Sequence, residues 1–199
     1  MLTRAQYEAK VAEANKMMPE IMDELTQFNE LASKLPDTPF VRRLKVRVVC
    51  SLIEAQLSHM KNATLILAVN PKYPLLAEDR LALQDTKVIK GTSKGTSKLV
   101  GLRLTMKENV KLAMRSFATA TGATHKIDFG SKGGANFLKA LEIRDKIVHP
   151  KRATDWQITT EDVAVIDAAW VWFGQNMVAV TVVPETNPTM KRRPADQRQ

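Results

Sequence analysis

The sequence predicts an all-α protein, built as a bundle of five or six helices. Apolar residues recur at three- and four-residue spacing in most segments of the chain, which is the periodicity of an amphipathic helix. Glycine, proline and polar clusters separate these segments, and we find no convincing strand pair between them. With 199 residues, of which 44% are hydrophobic and 26% charged, the chain has the composition of a soluble globular domain.

The first two helices are predicted from periodicity and punctuation. The first covers residues 3–35, and Pro19 marks a kink or break within it. The segment "LPDTPF" then offers Asp37 or Thr38 as the cap of a second helix over residues 41–69. This second helix has the most strongly patterned sequence, and we expect it to be largely buried. Its predicted inward residues are Val46, Val49, Ile53, Leu57, Met60 and Leu67.

A short helix over residues 75–83 is followed by a basic segment with an internal repeat. The sequence "KGTSKGTSK" repeats GTSK without an apolar residue, which predicts a mobile loop. Its glycines enclose only three residues, so the segment does not match the phosphate-binding loop of nucleoside triphosphatases. The next helix is predicted to end at Gly122. Its expected inward residues are Leu102, Met106, Val110, Ala113 and Phe117.

Two further helices complete the predicted bundle. The glycine-rich segment "GATHKIDFGSKGGAN" leads to a helix that ends in "LEIRDKIVHP". Thr159 or Thr160 then caps a last helix over residues 161–178. We expect a single helical domain over residues 1–183, in which the helix of residues 3–35 packs on a core of residues 40–180. Residues 184–199 are expected to form a flexible basic tail.

Net charge and cysteine content indicate the type of partner and the cellular compartment of the protein. A net charge of +9 favours a polyanionic partner, although a basic protein without a nucleic-acid role is the alternative. Cys50 alone excludes an internal disulfide and any multi-cysteine metal site. The N-terminus lacks the apolar core of a signal peptide, and no run approaches the roughly 18 apolar residues of a membrane span. We therefore expect a cytoplasmic protein without membrane association.

The segment "LEIRDKIVHP" carries the residues with the clearest chemistry. Pro150 disfavours helical backbone at the preceding residue, so His149 should lie at or beyond the last helical turn. On a regular helix, Arg144 and His149 would point about 140° apart, whereas Asp145 and His149 would share a face. Asp145 is therefore expected to orient the imidazole ring. A histidine stabilised at an ordinary helix end is the competing interpretation.

An arginine and a histidine in this setting have the chemistry needed to cleave RNA. Arginine is a permanent forked donor for phosphate oxygens, and histidine titrates near neutrality and can transfer a proton. A 2′-OH group can then attack the adjacent phosphorus without a metal ion, while the arginine stabilises the developing charge. Because one helix presents the two side chains poorly to a single phosphate, a second copy of the chain is expected to complete the site in a homodimer.

The sequence "EIRDKIVHP" resembles the Arg-x(4–6)-His motif of the HEPN superfamily, whose members are helical and commonly dimeric. The resemblance extends over about residues 40–180 and includes the long helix "RRLKVRVVCSLIEAQLSHM", which in such proteins often carries an acidic residue facing the active site. Members include toxins, antiphage and CRISPR-associated ribonucleases, and inactive or nucleotide-binding versions. The resemblance implies a metal-independent endoribonuclease without a cofactor, with Arg144 and His149 as the catalytic pair and Asp145 as the polar residue after the arginine.

Glu54 is the fourth candidate catalytic residue. It belongs to a polar stripe on the second helix, together with Arg43, Arg47, Ser51 and other residues at three- and four-residue spacing. As part of the site, its carboxylate would position Arg144 or a 2′-OH group. A solvated helix face explains the same stripe equally well.

A wider set of basic residues is expected to contact RNA. Four of them recur at four-residue spacing along one helix, so their side chains can follow a phosphate backbone, although a solvated face is the alternative. The candidate RNA contacts are Arg47, Arg103, Lys107, Lys111, Arg115 and Lys151. Lysines of the two loops are further candidates to close over RNA: Lys90, Lys94, Lys98, Lys126 and Lys132.

The remaining histidines and the tryptophans predict no additional site. His59 and His125 have no partners at metal-ligand spacing, so no metal site is expected. We interpret Trp156, Trp170 and Trp172 as core or interface residues rather than as platforms for bases.

Three functions remain open from the sequence. The first is an RNA-cleaving homodimer acting as a toxin or antiphage defence effector, for which an antitoxin or a regulatory protein would be a further partner. The second is a non-catalytic HEPN-like module that binds RNA, nucleotide or protein. A transcriptional regulator is the third, and it is disfavoured because no helix-turn-helix with a clear recognition helix stands out.

Overall fold

The computed structural model describes residues 3–68, 74–84, 87–91, 97–101 and 104–181. Within these residues the chain is an all-α bundle of six helices, as the sequence predicts, with one 3₁₀ turn and one small antiparallel hairpin added to it. The helices are α1 (Arg4–Ala32), α2 (Pro39–Leu67), α3 (Ala77–Leu83), α4 (Met106–Thr121), α5 (Lys132–Val148) and α6 (Thr160–Thr181). The hairpin strands are β1 (Lys87–Gly91) and β2 (Ser97–Gly101), and the 3₁₀ turn spans Ala153–Trp156.

Helix α1 continues through Pro19, so the predicted break is wrong. Thr3 caps the helix, and its hydroxyl accepts from the backbone N–H of Gln6 while the Gln6 side chain accepts from the Thr3 N–H. Helix α1 packs along α2 and buries Phe28. This tertiary contact offsets the hydrogen bond that the proline removes from the helix.

Helix α2 is the central element of the bundle and packs against α1, α4, α5 and α6. Its cap is Thr38, one of the two predicted residues, whose Oγ1 accepts from the Val41 N–H at 3.3 Å. Pro39 occupies the first turn, where no intrahelical donor is lost. Five of the six predicted inward residues are buried. Leu67 is the exception, because the helix ends there and leaves the side chain 38% exposed.

The hairpin corrects the prediction that the chain has no strand pair. Strands β1 and β2 pair antiparallel, with Ile89 opposite Leu99 and Gly91 opposite Ser97. Parts of the "KGTSKGTSK" segment that we expected to be a loop therefore belong to strands, while residues 92–96 lie outside the described residues. The predicted inward Leu102 also lies outside them.

Helix α4 follows the hairpin and is delimited by local signals at both ends. At its start, the Thr105 hydroxyl accepts from the Glu108 N–H, and the Glu108 carboxylate accepts from the Thr105 N–H at 2.7 Å. At its end, Gly122 has a φ of 78°, the left-handed conformation that glycine adopts without strain. The predicted termination at Gly122 is confirmed.

Helices α5 and α6 pack against each other and carry the aromatic part of the core. The rings of Phe129, Phe137, Trp172 and Phe173 form a chain of contacts between 5.0 and 6.2 Å, measured between centroids. Two glycines of the predicted glycine-rich loop, Gly133 and Gly134, lie in the first turn of α5 instead. A methyl group at Gly134 would lie 2.5 Å from the backbone oxygen of Asp128, so this close approach requires glycine.

Helix α6 is also long and apolar enough to cross a membrane, which the sequence analysis did not anticipate. Its 22 residues contain an 18-residue window with a mean hydropathy of 1.4, of which 33% is buried inside the protein. The buried side chains of Ile166, Ala169, Phe173 and Val180 belong to the main core. Length and composition alone mark this helix, since a helix packed in a bundle can meet the same criteria.

Candidate active site at the end of α5

Arg144 is held by two carboxylates from two helices. Its Nη2 donates to Oε1 of Glu54 on α2 at 2.8 Å, and its Nη1 donates to Oδ1 of Asp145 at 3.0 Å. The buried side chains of Ile143 and Ile147, on either side of Arg144 in the sequence, anchor this part of α5 in the core. Three of the four predicted catalytic residues are therefore joined by hydrogen bonds, because Glu54 and Asp145 both contact the Arg144 guanidinium.

The environment keeps the guanidinium of Arg144 charged. Burial lowers the pKa of Arg144, but the hydrogen bond to Asp145 and the charges of Glu54 and Asp145 outweigh this effect and raise the pKa above its usual value. The side chain is 29% exposed and is therefore still accessible to a ligand. A fixed and permanently charged donor is the arrangement suited to a phosphate oxygen.

His149 lies immediately beyond the last residue of α5, as Pro150 predicts. Its backbone has left the helical conformation, with φ −127° and ψ 60°, and its N–H donates to the Asp145 carbonyl at 2.9 Å. The expectation that the Asp145 carboxylate orients the imidazole is wrong, since this carboxylate accepts from Arg144 instead. The four-residue spacing predicts a shared face only while both residues are helical, and His149 is not. Within the described part of the chain, the exposed imidazole has no hydrogen-bond partner.

His149 lines a polar groove with a volume of about 750 Å³. One wall is a face of α5, and the other is the segment that follows it. The lining residues are Glu142, Asp145, Lys146, His149, Lys151, Arg152 and Asp155. Asp155 shapes the second wall, because its Oδ2 accepts from the N–H groups of Lys151 and Arg152 at 2.8 and 3.0 Å. Both hydrogen bonds lower the pKa of Asp155, and the one from Lys151 has the larger effect.

Arg144 and Glu54 are not among the residues that line this groove, whereas Asp145 contacts Arg144 and also lines the groove. The two predicted catalytic side chains therefore do not line the same groove. This placement agrees with the angular separation expected from their spacing.

The groove holds three cations, and the charges of two of them, Arg152 and Lys146, help to lower the pKa of Asp155. Among the described residues, Lys146, Lys151 and Arg152 make no ion pair, whereas Arg42 pairs with Asp37 and Lys45 with Asp167 elsewhere on the surface. Of these three, only Lys151 is a predicted RNA contact. Lys146 and Arg152 were missed, although their positions within and just after the motif could have identified them. These cations can attract an anion to the surface beside His149, although Glu142, Asp145 and Asp155 line the same groove.

The other predicted RNA contacts lie on two further surfaces. Arg47 is exposed on α2, and its Cζ lies 5.9 Å from the centroid of the Trp156 ring. Lys107, Lys111 and Arg115 are exposed on α4, as the spacing predicts. Arg115 is partly neutralised, since its Nη2 contacts Oδ1 of Asp79 at 2.6 Å. Arg103 and Lys94 lie outside the described residues, and Lys90 and Lys98 belong to strands β1 and β2.

The α4 surface borders a cavity of its own. Lys111, Arg115 and Lys126 line this space of about 510 Å³ between α4 and residues 123–127. Lys107 does not line it, and its Nζ lies instead 5.5 Å from the centroid of the Phe129 ring. The basic stripe of α4 and the groove of α5 are therefore two distinct surfaces.

The remaining histidines and two of the tryptophans contact the interior of the protein. Nε2 of His125 lies 2.8 Å from Oδ1 of the buried Asn176, and Nδ1 of His59 is buried. Across the described ranges, no three His, Cys, Asp or Glu side chains converge as metal ligands. Trp172 and Trp170 pack in or against the core, which confirms their interpretation.

Comparison of the chain with family models, with curated protein sequences and with solved structures yields no match.

Proposed function

We propose that this protein is a metal-independent endoribonuclease of the HEPN type, with Arg144 and His149 as its catalytic pair. The observation that carries the proposal is the arrangement at the end of α5. Glu54 and Asp145 fix the guanidinium of Arg144, while His149 is exposed in a groove that three cations and three carboxylates line. One side chain is suited to stabilise a charged phosphate, and the other is accessible for proton transfer.

In the proposed reaction, the 2′-oxygen of a ribose forms a bond to the adjacent phosphorus. The bond from phosphorus to the 5′-oxygen of the next nucleotide breaks, which leaves a cyclic phosphate on one product and a 5′-OH on the other. His149 removes the proton from the 2′-OH, and the leaving 5′-oxygen takes a proton from water. Arg144 stabilises the charge on the non-bridging oxygens.

The placement of the two residues supports a homodimer as part of this proposal. Arg144 does not line the groove that holds His149, so one subunit is expected to present the two side chains poorly to a single phosphate. A second subunit related by a twofold axis can supply the complementary residue. This proposal has three testable features. The products should carry cyclic phosphate and 5′-OH ends, cleavage should not need a metal ion, and the protein should form a dimer. A role as a toxin or defence effector, held in check by an antitoxin or regulatory protein, is compatible with it.

The second candidate is a HEPN-like module that binds RNA, nucleotide or protein without turnover. The observation that favours it is the pairing of Arg144 with two carboxylates, since a ligand must compete with Glu54 and Asp145 for the guanidinium donors. The two candidates make opposite predictions about product formation.

Cleavage of RNA in EDTA separates the two candidates. Wild-type protein, His149→Ala and a control variant, Lys139→Ala, are incubated with a mixed RNA pool and the product ends are analysed. Lys139 is exposed on the same helix and makes only a surface ion pair with Glu142, so its loss should have little effect. The proposal predicts cyclic phosphate ends from the wild type and the control, and none from His149→Ala. RNA that is bound but left intact by the wild type would establish the binding module instead.

A further inference from the structure

Trp156 is the one tryptophan of the chain that is exposed. Its side chain has 40% of its surface accessible, whereas Trp172 has only 8%. It ends the 3₁₀ turn, directly after Asp155 in the groove wall. Trp156 is therefore not a core residue, which leaves the interface as the untested part of its predicted role, and its aromatic ring lies exposed beside the groove.

Two arginines of α2 hold this ring in place. Nη1 of Arg43 donates to the Trp156 carbonyl at 2.8 Å, and its Cζ lies 5.0 Å from the ring centroid. Cζ of Arg47 lies 5.9 Å from the same centroid. Both arginines belong to α2, so the exposed part of the indole faces away from that helix. Across the described residues, neither arginine forms an ion pair, and each keeps its positive charge available for a ligand.

The polar stripe of α2 connects this ring to Arg144. The stripe contains Arg43, Arg47, Ser51 and Glu54, and the last of these contacts Arg144. From Arg47 to Glu54 the helix rises roughly 10 Å. One or two nucleotides of an extended strand cover such a distance, so a strand with a phosphate at Arg144 would bring a neighbouring base to Trp156.

We propose that Trp156 is a stacking platform for a base of single-stranded RNA, and that Arg43 and Arg47 contact the phosphates beside that base. A single strand is required because the faces of bases within a duplex are already stacked on one another. An exposed indole accepts any base, so the platform selects for strandedness more than for sequence. The proposal rests on the proposed function in taking RNA as the ligand, but it concerns binding and not cleavage.

Affinity for a 2′-O-methyl oligouridylate hexamer tests the platform. The methyl group blocks attack by the 2′-oxygen, so the hexamer reports binding whether or not the protein cleaves RNA. Fluorescence anisotropy should show affinity weakened about tenfold or more by Trp156→Ala and by Trp156→Leu, while Trp156→Phe retains most of it. Leu76→Ala, which removes an exposed apolar side chain next to α3, should bind as the wild type does.

The same hexamer without bases provides the second arm of the experiment. If Trp156 acts by stacking on a base, wild type and Trp156→Leu should bind the abasic hexamer equally. Arg43→Gln and Arg47→Gln should weaken the binding of both hexamers and flatten its salt dependence. No binding of the hexamer by the wild type, or an equal loss with Trp156→Phe and Trp156→Leu, would overturn the platform. If the wild type leaves RNA intact but Trp156→Leu weakens binding of the hexamer, the nuclease proposal is rejected and the stacking platform is supported. If the wild type cleaves RNA but Trp156→Leu binds the hexamer normally, the nuclease proposal is supported and the stacking platform is rejected.

Discussion

At the scale of residues, Arg144 joins two helices, because its guanidinium donates to Glu54 on α2, 90 positions away in the sequence. The family resemblance implied an acidic residue of this helix in the site, whereas the polar stripe of α2 was explained equally well by a solvated face. The prediction that Asp145 orients the His149 ring is wrong. Pro150 ends the helix before His149, so the four-residue spacing no longer places the two side chains on one face. The sequence could not decide between a core and a surface position for Trp156, because nothing local in a sequence distinguishes an exposed indole from a buried one.

Glu54 is expected to position Arg144 for catalysis. Glu54→Gln removes the charge opposite the guanidinium but keeps a similar side chain, so the rate of cleavage at saturating RNA should fall about tenfold. Unfolding free energy should change by less than about 1 kcal/mol, because the pair is partly exposed. The control is Asp37→Asn, which removes a comparable ion pair with Arg42 away from the site. An unchanged rate for Glu54→Gln would show that Arg144 holds its position without Glu54.

Cys50 is expected to be an unreactive thiol in the native protein. Burial raises the pKa of Cys50 to about 12, from a reference value of 9.0. At pH 8 it should therefore react with Ellman's reagent at least about a hundredfold more slowly than in the urea-unfolded chain. Because the folded pKa is the higher one, the contribution of this thiol to stability is present below about pH 9 and is lost as the pH rises towards 12. Rapid labelling of the native protein at pH 8 would contradict the burial of Cys50.

At the scale of elements, the helices were predictable from local signals and the hairpin was not. Thr38, Thr159 and Gly122 mark helix ends through side-chain or backbone properties that the sequence displays directly. Strands β1 and β2 are five residues each and flank a polar repeat, so neither is long enough to show a clear alternation. Their stability comes from pairing with each other, which is a non-local property.

The position of α5 depends on the glycines in its first turn. Gly134→Ala would place a methyl group against the backbone of Asp128 and Phe129, so it should destabilise the protein by about 1–3 kcal/mol. Gly174→Ala is the matched control within α6, where nothing lies within 4 Å of the added methyl group. Higher helix propensity should make that variant more stable by up to about 1 kcal/mol. Urea unfolding measures both, and equal stability of the two variants would show that α5 tolerates displacement.

At the scale of the whole molecule, the charge of +9 favours a polyanionic partner but does not show which surface would bind one. The structure distributes the predicted cations over the α4 surface, the α2 stripe and the groove of α5. Which lysines and arginines remain unpaired depends on tertiary contacts such as that of Arg115 with Asp79. A sequence gives the number of charges, and only the fold shows which of them are neutralised.

A composite site shared between two subunits predicts complementation between inactive variants. If Arg144 of one subunit acts with His149 of the other, a mixture of Arg144→Ala and His149→Ala contains heterodimers with one intact site. An equimolar mixture that exchanges subunits freely should regain about a quarter of the wild-type activity. Each variant alone remains inactive and serves as the control. No recovery, despite subunit exchange shown by energy transfer between labelled chains, would place both residues of each site in one subunit.

The central claim is that Arg144 stabilises the reacting phosphate, whereas the lysines of α4 only hold RNA. Single-turnover cleavage in EDTA, measured at saturating RNA alongside an affinity titration, tests this most directly. Arg144→Ala should lower the saturated rate by about a hundredfold or more and keep much of the affinity. The double variant Lys107→Gln, Lys111→Gln should keep the saturated rate, weaken binding and flatten the salt dependence by as much as about two units. A wild-type saturated rate for Arg144→Ala, with only its affinity reduced, would contradict the claim.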